Sequence, residues 1–418
     1  MIKRILEPLI KRYLSIFGGL LITGAKDVGK TEISKFFSKM IWKLDDAETY
    51  DIVKNDYRKI LEGKQPILID EWQLIPSVWN TVRNEIDRIN KTGLFILTGS
   101  SSLLDKNIIN KLHSGAGRLC KIKMYTLTAT EIGFSKKNIS FQDLFKGNLK
   151  IKKIYNSYTF KNYVELLCKG GRPRVVDKTC TNAMISNAGY LDEISELSDK
   201  VTGIQQNSFL KVVSSLARNI SQDVTYETLS KDSGLINDVV YKYYEYCKKI
   251  FIIEPLETWN VHLRSSASLR VKPKIHFSDT SIAVTAIKGT VEKFIEEPKD
   301  FGLFFEDLVI HDLRAYVSIS NDFISYYRDS QGLEIDCIIE KRDGSWIAIE
   351  VKTNDDDLIE HAANNLKLLL DKLPLKKQSM NKGLYIITTK NISYTREDGI
   401  NVISFADLWF DIDDFKIA

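Results

Sequence analysis

Short apolar segments alternate with segments of helical periodicity through roughly the first 165 residues of the chain. The apolar segments span 19–23, 66–70 and 94–98, and the helical segments between them span 32–44 and 78–90. Strands that are apolar on both faces and separated by helices are typical of a parallel sheet covered on both sides. The pattern therefore predicts an α/β domain over residues 1–165.

The pattern becomes mainly helical after residue 165. A Gly-Gly-Arg-Pro break at 170–173 marks a domain boundary, and we expect residues 166–205 to form a helical linker or lid. Three short helices and then a strand follow, at 207–219, from 225, at 237–249 and at 250–254. This order predicts a winged-helix-like domain over residues 206–275, although a small helical bridge between two larger domains has the same spacing.

A third pattern begins near residue 290. A helix at 303–317 precedes strands at 323–328, 334–340 and 346–352, and a helix at 358–373 and a strand at 383–388 follow. These segments predict a smaller α/β domain over residues 290–418. A chain of 418 residues is long enough for two or three such domains, each with its own core.

Composition narrows the picture only slightly. Hydrophobic residues make up 44% and charged residues 27%, which is ordinary for a folded protein. The net charge of +4 permits nucleic-acid binding but does not require it. The five cysteines are widely spaced and the five histidines are scattered singly, so we expect free thiols, a cytoplasmic protein and no histidine-based metal site. The chain has no apolar run long enough to suggest a membrane span.

Residues 24–31 read Gly-Ala-Lys-Asp-Val-Gly-Lys-Thr, which satisfies the phosphate-binding pattern G-x-x-x-x-G-K-[ST] between a strand and a helix. The glycines allow backbone N–H groups to wrap phosphates, Lys30 can reach the β- and γ-phosphates, and Thr31 can hold Mg²⁺. The predicted nucleotide-binding residues are Gly24, Ala25, Lys26, Asp27, Val28, Gly29, Lys30, Thr31, Glu32 and Ser100. The motif predicts binding of ATP with Mg²⁺.

The next two strands supply further polar groups. The strand 67–70 ends in Asp70 and Glu71; we expect Asp70 to bind Mg²⁺ through water and Glu71 to orient the attacking water. Ser100 follows the strand at 94–98 and would place a hydroxyl beside the γ-phosphate. Arg118 is predicted to stabilise the transition state, within the subunit or across to another copy in a dimer or larger oligomer, and a structural ion pair is an equal alternative.

The ordered motifs GAKDVGKT, ILIDEWQLIP, FILTGSSS, SGAGR and KGGRPRVV resemble a large prokaryotic family of AAA-type ATPases that carry a carboxy-terminal domain of unknown function with a nuclease-like fold. The resemblance runs from about residue 15 to about residue 390. It implies an amino-terminal P-loop AAA-type ATPase domain that binds ATP and Mg²⁺, and a carboxy-terminal restriction-endonuclease-like domain. Arg172 stands where that family usually has an aromatic residue.

An acidic cluster near the carboxy terminus is consistent with that second domain. Asp336 lies on one predicted strand, and Glu350 and Lys352 lie on the next, in a D-x(n)-E-x-K order. Two such carboxylates can hold a second divalent ion, Mg²⁺ or Mn²⁺, against a scissile phosphate, and the lysine can help to activate water. Glu306 completes the predicted metal-binding set and Glu334 can assist. An ordinary surface ion pair produces the same local pattern.

Two functions remain open on the sequence alone. In the first, the protein is an ATP-driven nucleic-acid enzyme whose nucleotide state controls how the carboxy-terminal domain binds or cuts DNA. In the second, it is a nucleotide-dependent signalling or assembly switch, and the carboxy-terminal domain is a catalytically inactive interaction module for a partner protein or another copy. ATP hydrolysis is the expected enzymatic activity in both.

Overall fold

A computed structural model describes residues 2–99, 115, 117–202, 205–261 and 271–413. The chain forms two compact units: residues 1–126 with 249–251, and residues 127–248 with 252–418. Among the described residues, no helix combines the length and the apolar character that crossing a membrane requires.

The first unit is built on a five-stranded sheet in which every pair of neighbours is parallel. Its strands are β1 (Gly19–Thr23), β2 (Met40–Lys43), β3 (Ile67–Asp70), β4 (Phe95–Thr98) and β5 (Leu119–Lys123), in the order β2-β3-β4-β1-β5. Its helices are α1 (Glu7–Leu14), α2 (Lys30–Phe37), α3 (Ala47–Asn55) and α4 (Ser77–Ile89). The predicted parallel sheet is confirmed, with β3 and β4 buried along their whole length.

The helix expected over residues 32–44 is shorter than the sequence pattern indicates. Helix α2 ends at Phe37, and Ser38 is extended, with φ −103° and ψ 156°. The chain then enters β2, an edge strand whose residues alternate between half-buried and exposed and which pairs with β3. Four residues that alternate in this way also fit a helical pattern, so apolar periodicity alone assigned them wrongly.

The second unit contains a seven-stranded mixed sheet in the order β7-β12-β13-β11-β10-β9-β8. Its strands are β7 (Ile154–Tyr155), β8 (Phe323–Arg328), β9 (Glu334–Glu340), β10 (Trp346–Lys352), β11 (Asn381–Thr388), β12 (Ile392–Thr395) and β13 (Asn401–Ser404). The strands β8, β9 and β10 lie where strands were predicted and are antiparallel neighbours, whereas β10, β11 and β13 are parallel. A core around Trp346 packs this sheet on the apolar face of the helix that begins at Asp356.

The first compact unit ends at Thr126 and not at residue 165, where the first domain was expected to end. Two short strands in the intervening segment pair with the second unit: β6 (Ile139–Ser140) with β14 (Leu408–Trp409), and β7 with β12. The backbone N–H of Ala129 also donates to Asp312 at 2.8 Å. The segment is held to the second unit by these long-range contacts, which leave no local signal in the sequence.

Eleven helices of the second unit lie in its described part. They are α5 (Phe160–Lys169), α6 (Pro173–Val176), α7 (Cys180–Thr202), α8 (Gln206–Arg218), α9 (Tyr226–Ser233), α10 (Asn237–Lys249), α11 (Thr280–Ala286), α12 (Val291–Glu296), α13 (Pro298–Ser320), α14 (Asp356–Lys372) and α15 (Leu375–Met380). Helices α8 to α10 lie where the three short helices were predicted. The expected strand at 250–254 is reduced to isolated bridges, among them Ile253 with Phe277.

Arg172, the residue that departs from the usual aromatic position, is buried in the second unit. Its guanidinium lies 4.1 Å from the centre of the Tyr190 ring and donates to the side-chain oxygen of Asn187 at 2.5 Å. A planar guanidinium can stack on an aromatic face much as a second ring would. Arg172 thus occupies an aromatic environment between α5 and α7.

Candidate functional site

The predicted phosphate-binding loop connects the end of β1 to the start of α2 at one edge of the parallel sheet. Gly24 and Gly29 have positive φ angles of 153° and 93°. A side chain at Gly24 would place its Cβ 2.3 Å from the carbonyl oxygen of Met124. The loop therefore requires glycine at both positions, for conformation at each and for space at Gly24.

Lys30 is buried at the base of this loop. Its ammonium group donates to the carbonyl oxygens of Gly24 and Ala25, at 3.2 and 2.8 Å. Burial lowers the pKa of Lys30 from its ordinary value, and the nearby carboxylates of Glu71 and Asp70 oppose that shift. The ammonium thus lies against the backbone of the loop, and Lys30 is also the first residue of α2.

Asp70, at the end of β3, connects the start of α2 to the end of β4. Its carboxylate oxygens lie 3.0 and 2.9 Å from the hydroxyl of Thr31 at the start of α2, and one of them also accepts from the hydroxyl of Thr98. Thr98 ends β4 and pairs in register with both Asp70 and Ile22. Parallel strands present their carboxyl ends at one edge, which brings these groups beside the loop. Thr98 was not among the predicted site residues.

Glu71 follows Asp70 in a left-handed backbone conformation, with φ 55°. Its carboxylate accepts a hydrogen bond from the side-chain amide of Gln73. Gln73 is buried, and its amide oxygen has no hydrogen-bond partner among the described residues. A Cβ on Gly99, at the end of β4, would lie 1.9 Å from that oxygen. Gln73 therefore fixes the orientation of Glu71 in a space that Gly99 keeps open.

Arg4 supports the loop from the other side. Its guanidinium donates to the carbonyl oxygens of Val28 and Tyr125, at 2.8 and 2.7 Å, and the side chain is buried. In the sequence Arg4 belongs to a short basic segment. Nothing in that segment indicates the contact with Val28. Arg4 and Gln73 thus contact the loop and Glu71, and no motif in the sequence indicated either contact.

These groups fit a nucleotide and its Mg²⁺. In the described structure no side chain caps the start of α2, so its N–H groups remain open to an anion. A threonine hydroxyl and one carboxylate are the protein ligands typical of Mg²⁺ that is bound mainly through phosphates and water. The side chain of Glu32 is exposed and paired with Lys35 at 2.5 Å, so any contact from Glu32 would be made by its backbone. Ser100 lies outside the described residues.

Arg118 is not brought to this site within one chain. It precedes β5, and its carbonyl accepts from the N–H of Gly19 at the start of β1, whereas the phosphate-binding loop follows the end of β1. Five residues of strand separate these positions, about 16 Å along the sheet. The Nε atom of Arg118 lies 2.5 Å from a carboxylate oxygen of Asp87. Of the alternatives left open for Arg118, action within the subunit does not agree with this position at the opposite end of the strands. The pairing with Asp87 agrees with a structural ion pair, and action on another copy stays a prediction.

The carboxy-terminal acidic residues do come together in the second unit, as predicted. Asp336 on β9 and Glu350 and Lys352 on β10 lie on neighbouring antiparallel strands. The ammonium of Lys352 is 2.9 Å from Asp336 and 2.5 Å from Glu350. Asp336 also accepts from the N–H of Val351 at 2.8 Å.

A second lysine, which the sequence reasoning did not single out, lies in the same cluster. The Lys274 ammonium is 2.9 Å from Glu306, 2.7 Å from Glu334 and 3.4 Å from Asp336. Its side chain is only 2% exposed. Lys274 is separated from these partners by at least 32 positions in the chain, so no local pattern could have indicated the contact.

Charge is distributed unevenly within this cluster. Burial raises the pKa of Glu306 and of Glu350, and the carboxylate of Asp336 adds to both shifts. Burial acts to raise the pKa of Asp336 too, but Lys352 and Lys274 outweigh it, so that the pKa is lowered. Burial acts to lower the pKa of Lys274, but its three carboxylate partners raise it well above the ordinary value. The two lysines thus favour the charged form of Asp336, whereas burial disfavours the charged forms of Glu306 and Glu350.

The predicted second metal site is not found. Within residues 2–99, 115, 117–202, 205–261 and 271–413, no group of three or more His, Cys, Asp or Glu side chains is arranged to hold a metal ion. Glu306, Asp336 and Glu350 were the predicted ligands. Their oxygens are instead hydrogen-bonded to the two lysine ammonium groups, so the residues do not fit a divalent ion.

Three family models match successive parts of the chain. Residues 18–133 match the family model described as an AAA domain. Residues 160–293 and 301–408 match two separate models, each described as a domain of unknown function (DUF8612 and DUF4143). The amino-terminal region, with its phosphate-binding loop, is thus similar to AAA domains. The other two matches carry no functional description.

Comparisons with characterised and solved proteins add little. No curated protein matches the chain. A solved structure titled as a DNA replication initiation factor is similar with 14% sequence identity over 75% of this chain and 92% of that one, at a TM-score of 0.27. A TM-score this low supports no argument about fold or function.

Proposed function

We propose that the protein binds ATP with Mg²⁺ at the loop formed by residues 24–31 and hydrolyses it. The observation that carries the proposal is the contact of Thr31 with Asp70, at 2.9 and 3.0 Å, directly beside a glycine loop that encloses the Lys30 ammonium. The similarity of residues 18–133 to AAA domains supports the same function.

Each side chain has a separate role in this proposal. The loop N–H groups and Lys30 bind the phosphates, and Thr31 and Asp70 hold Mg²⁺, which when bound neutralises charge on the phosphate oxygens. Glu71 accepts a proton from the attacking water and orients it, and Gln73 holds Glu71 in position. The hydroxyl of Thr98 donates to the Asp70 carboxylate and helps to hold it in place.

The test compares three full-length proteins: wild type, Lys30→Ala and Lys35→Ala. Lys35 lies on the same helix as Lys30 but is paired with Glu32 at the surface, so its variant controls for charge removal. We expect Lys30→Ala to lose nucleotide binding and turnover and Lys35→Ala to retain both. Full ATP turnover by Lys30→Ala would refute the proposal.

For the carboxy-terminal domain, the observations favour the second of the two functions, a non-cleaving nuclease-like interaction module within a nucleotide-dependent switch. The support comes from the contacts of two carboxylates with lysine side chains. Asp336 and Glu350, the carboxylates that DNA cleavage would need for a metal ion, are both engaged by Lys352, and Asp336 also by Lys274.

A cleavage assay separates the two functions. Wild type and Asp336→Ala are incubated with DNA, ATP and either Mg²⁺ or Mn²⁺. We expect no cleavage that depends on both the metal and Asp336. Cleavage by wild type that disappears in Asp336→Ala would reinstate the nucleic-acid enzyme.

A further inference from the structure

The acidic cluster of the second unit already contains a cation, and this cation is part of the chain. Lys274 carries an ammonium group with three hydrogens, and three carboxylates surround it, those of Glu306, Glu334 and Asp336. The number of donors equals the number of acceptors. We propose that Lys274 is a permanent internal counter-ion that takes the place of a divalent metal and binds helix α13 to strand β9.

Lys274 is anchored at both ends. Its backbone N–H donates to the carbonyl of Leu256 at 3.0 Å, and its carbonyl accepts from the N–H of Leu256 at 2.8 Å. Its ammonium also lies 5.6 Å from the centre of the Tyr326 ring. Because the backbone is paired and the side chain is buried, the ammonium cannot leave the cluster without a local rearrangement.

The surroundings of the ammonium also favour an internal cation over a metal. The N–O distances to Glu334 and Glu306, 2.7 and 2.9 Å, are those of charge-assisted hydrogen bonds, and Asp336 is a more distant partner at 3.4 Å. Mg²⁺ requires oxygen ligands at about 2.0–2.1 Å in near-octahedral geometry. A divalent ion close to Asp336 would also lie beside two positive charges, the buried Lys274 and the half-buried Lys352.

Both carboxylate oxygens of Asp336 accept hydrogen bonds from within the chain. One of its oxygens accepts from Lys274 at 3.4 Å, and the other accepts from Lys352 at 2.9 Å and from the N–H of Val351 at 2.8 Å. Three hydrogen bonds from within the chain therefore reach this carboxylate. The carboxylates hold the unit together through the two lysines.

This inference extends the proposal of a non-cleaving domain, but it is tested by a different property. Thermal unfolding of the full chain is followed without nucleotide, in EDTA and in millimolar Mn²⁺, for wild type, Lys274→Met, Asp336→Asn and the double variant that combines the two substitutions. Lys272→Met is the control, because Lys272 is an exposed neighbour on the same segment.

We expect the wild-type unfolding temperature of this unit to be the same in EDTA and in Mn²⁺. Lys274→Met should unfold about 5–15 °C lower in EDTA, because buried carboxylates lose their partner, and Mn²⁺ should restore at least about 3 °C of that loss. The double variant should lose the response to Mn²⁺, and Lys272→Met should behave as wild type.

Two results would overturn the inference: stabilisation of the wild type by Mn²⁺ that Asp336→Asn alone removes, or Lys274→Met that is as stable as the wild type in EDTA. If Lys274→Met does not fold, the comparison of wild type with Asp336→Asn still decides whether the native cluster binds Mn²⁺. Lys274→Met that is as stable as the wild type, together with absent DNA cleavage, would reject the counter-ion and leave the non-cleaving role intact. Cleavage that needs both the metal and Asp336 would reject both.

Discussion

The hydroxyl of Thr31 lies within 3.0 Å of both carboxylate oxygens of Asp70, although the two residues are 39 positions apart. One begins a helix and the other ends a strand, and the parallel sheet brings these two positions to the same edge. The pair links the phosphate-binding loop to the strand end that carries Glu71.

The first prediction concerns this pair. Thr31→Val removes a hydroxyl that would be both a Mg²⁺ ligand and a partner of Asp70. We expect the Mg²⁺ concentration for half-maximal ATP turnover to rise at least about tenfold. Thr31→Ser, which keeps the hydroxyl, should stay close to the wild type, and an equal change in both variants would speak against a metal-binding role.

Gln73 is expected to affect turnover more than binding. Without its amide, the carboxylate of Glu71 loses the hydrogen bond that fixes it, so Gln73→Ala should lower kcat by about tenfold and leave KM for ATP nearly unchanged. Leu74→Ala changes an exposed neighbour and serves as the control. An unchanged or raised kcat in Gln73→Ala would contradict the assigned role.

Gly99→Ala should have the same effect from a different position. The added Cβ would collide with the Gln73 amide oxygen at 1.9 Å and displace that side chain. We expect kcat to fall as in Gln73→Ala, and the double variant to be no slower than either single one. Additive losses in a steady-state assay would show that the two residues act separately.

Part of the nucleotide site could be predicted from the sequence, because these residues belong to short continuous segments. The loop at 24–31 and the strands ending at Asp70 and Thr98 follow from residue type and spacing within short windows. Gln73, Arg4 and Lys274 were missed, since what they do depends on which distant group they touch. Arg118 differs, because its motif is a short sequence segment but its position was not predicted. It lies at the opposite end of the strands from the loop, since β5 runs parallel to β1.

The contact of Arg4 with the loop predicts a binding defect. Arg4→Ala leaves the Val28 carbonyl without its guanidinium donor, at a cost of about 1–3 kcal/mol of stability. The loop should also hold nucleotide less firmly, so KM for ATP should rise several-fold with a smaller change in kcat. Lys11→Ala, an exposed change on α1, is the matched control, and equal KM values for Arg4→Ala and Lys11→Ala would refute the bracing role.

His276 predicts a pH dependence of stability in the second unit. Burial lowers its pKa to about 4, against the opposing effect of Asp307, while Arg314 and Lys274 add to the lowering. As the pH falls below about 6.5, His276 binds a proton in the unfolded chain, whereas in the folded chain it stays neutral down to about pH 4. This contribution to stability is present above about pH 6.5 and is lost as the pH falls through about 4.

Urea unfolding followed between pH 4 and pH 7 measures this contribution. The midpoint should fall with pH more steeply in the wild type than in His276→Gln, whose side chain does not titrate in this range. Equal slopes for the two proteins would exclude His276 as a source of the pH dependence.

The most direct test of the central claim is single-turnover ATP hydrolysis by Glu71→Gln, measured beside nucleotide binding. Glu48→Gln, an exposed change on α3, is the control. The account predicts that Glu71→Gln binds ATP with Mg²⁺ about as tightly as the wild type but hydrolyses it at least about 100-fold more slowly, while Glu48→Gln is unaffected. Hydrolysis by Glu71→Gln at the wild-type rate would contradict the proposed ATPase site.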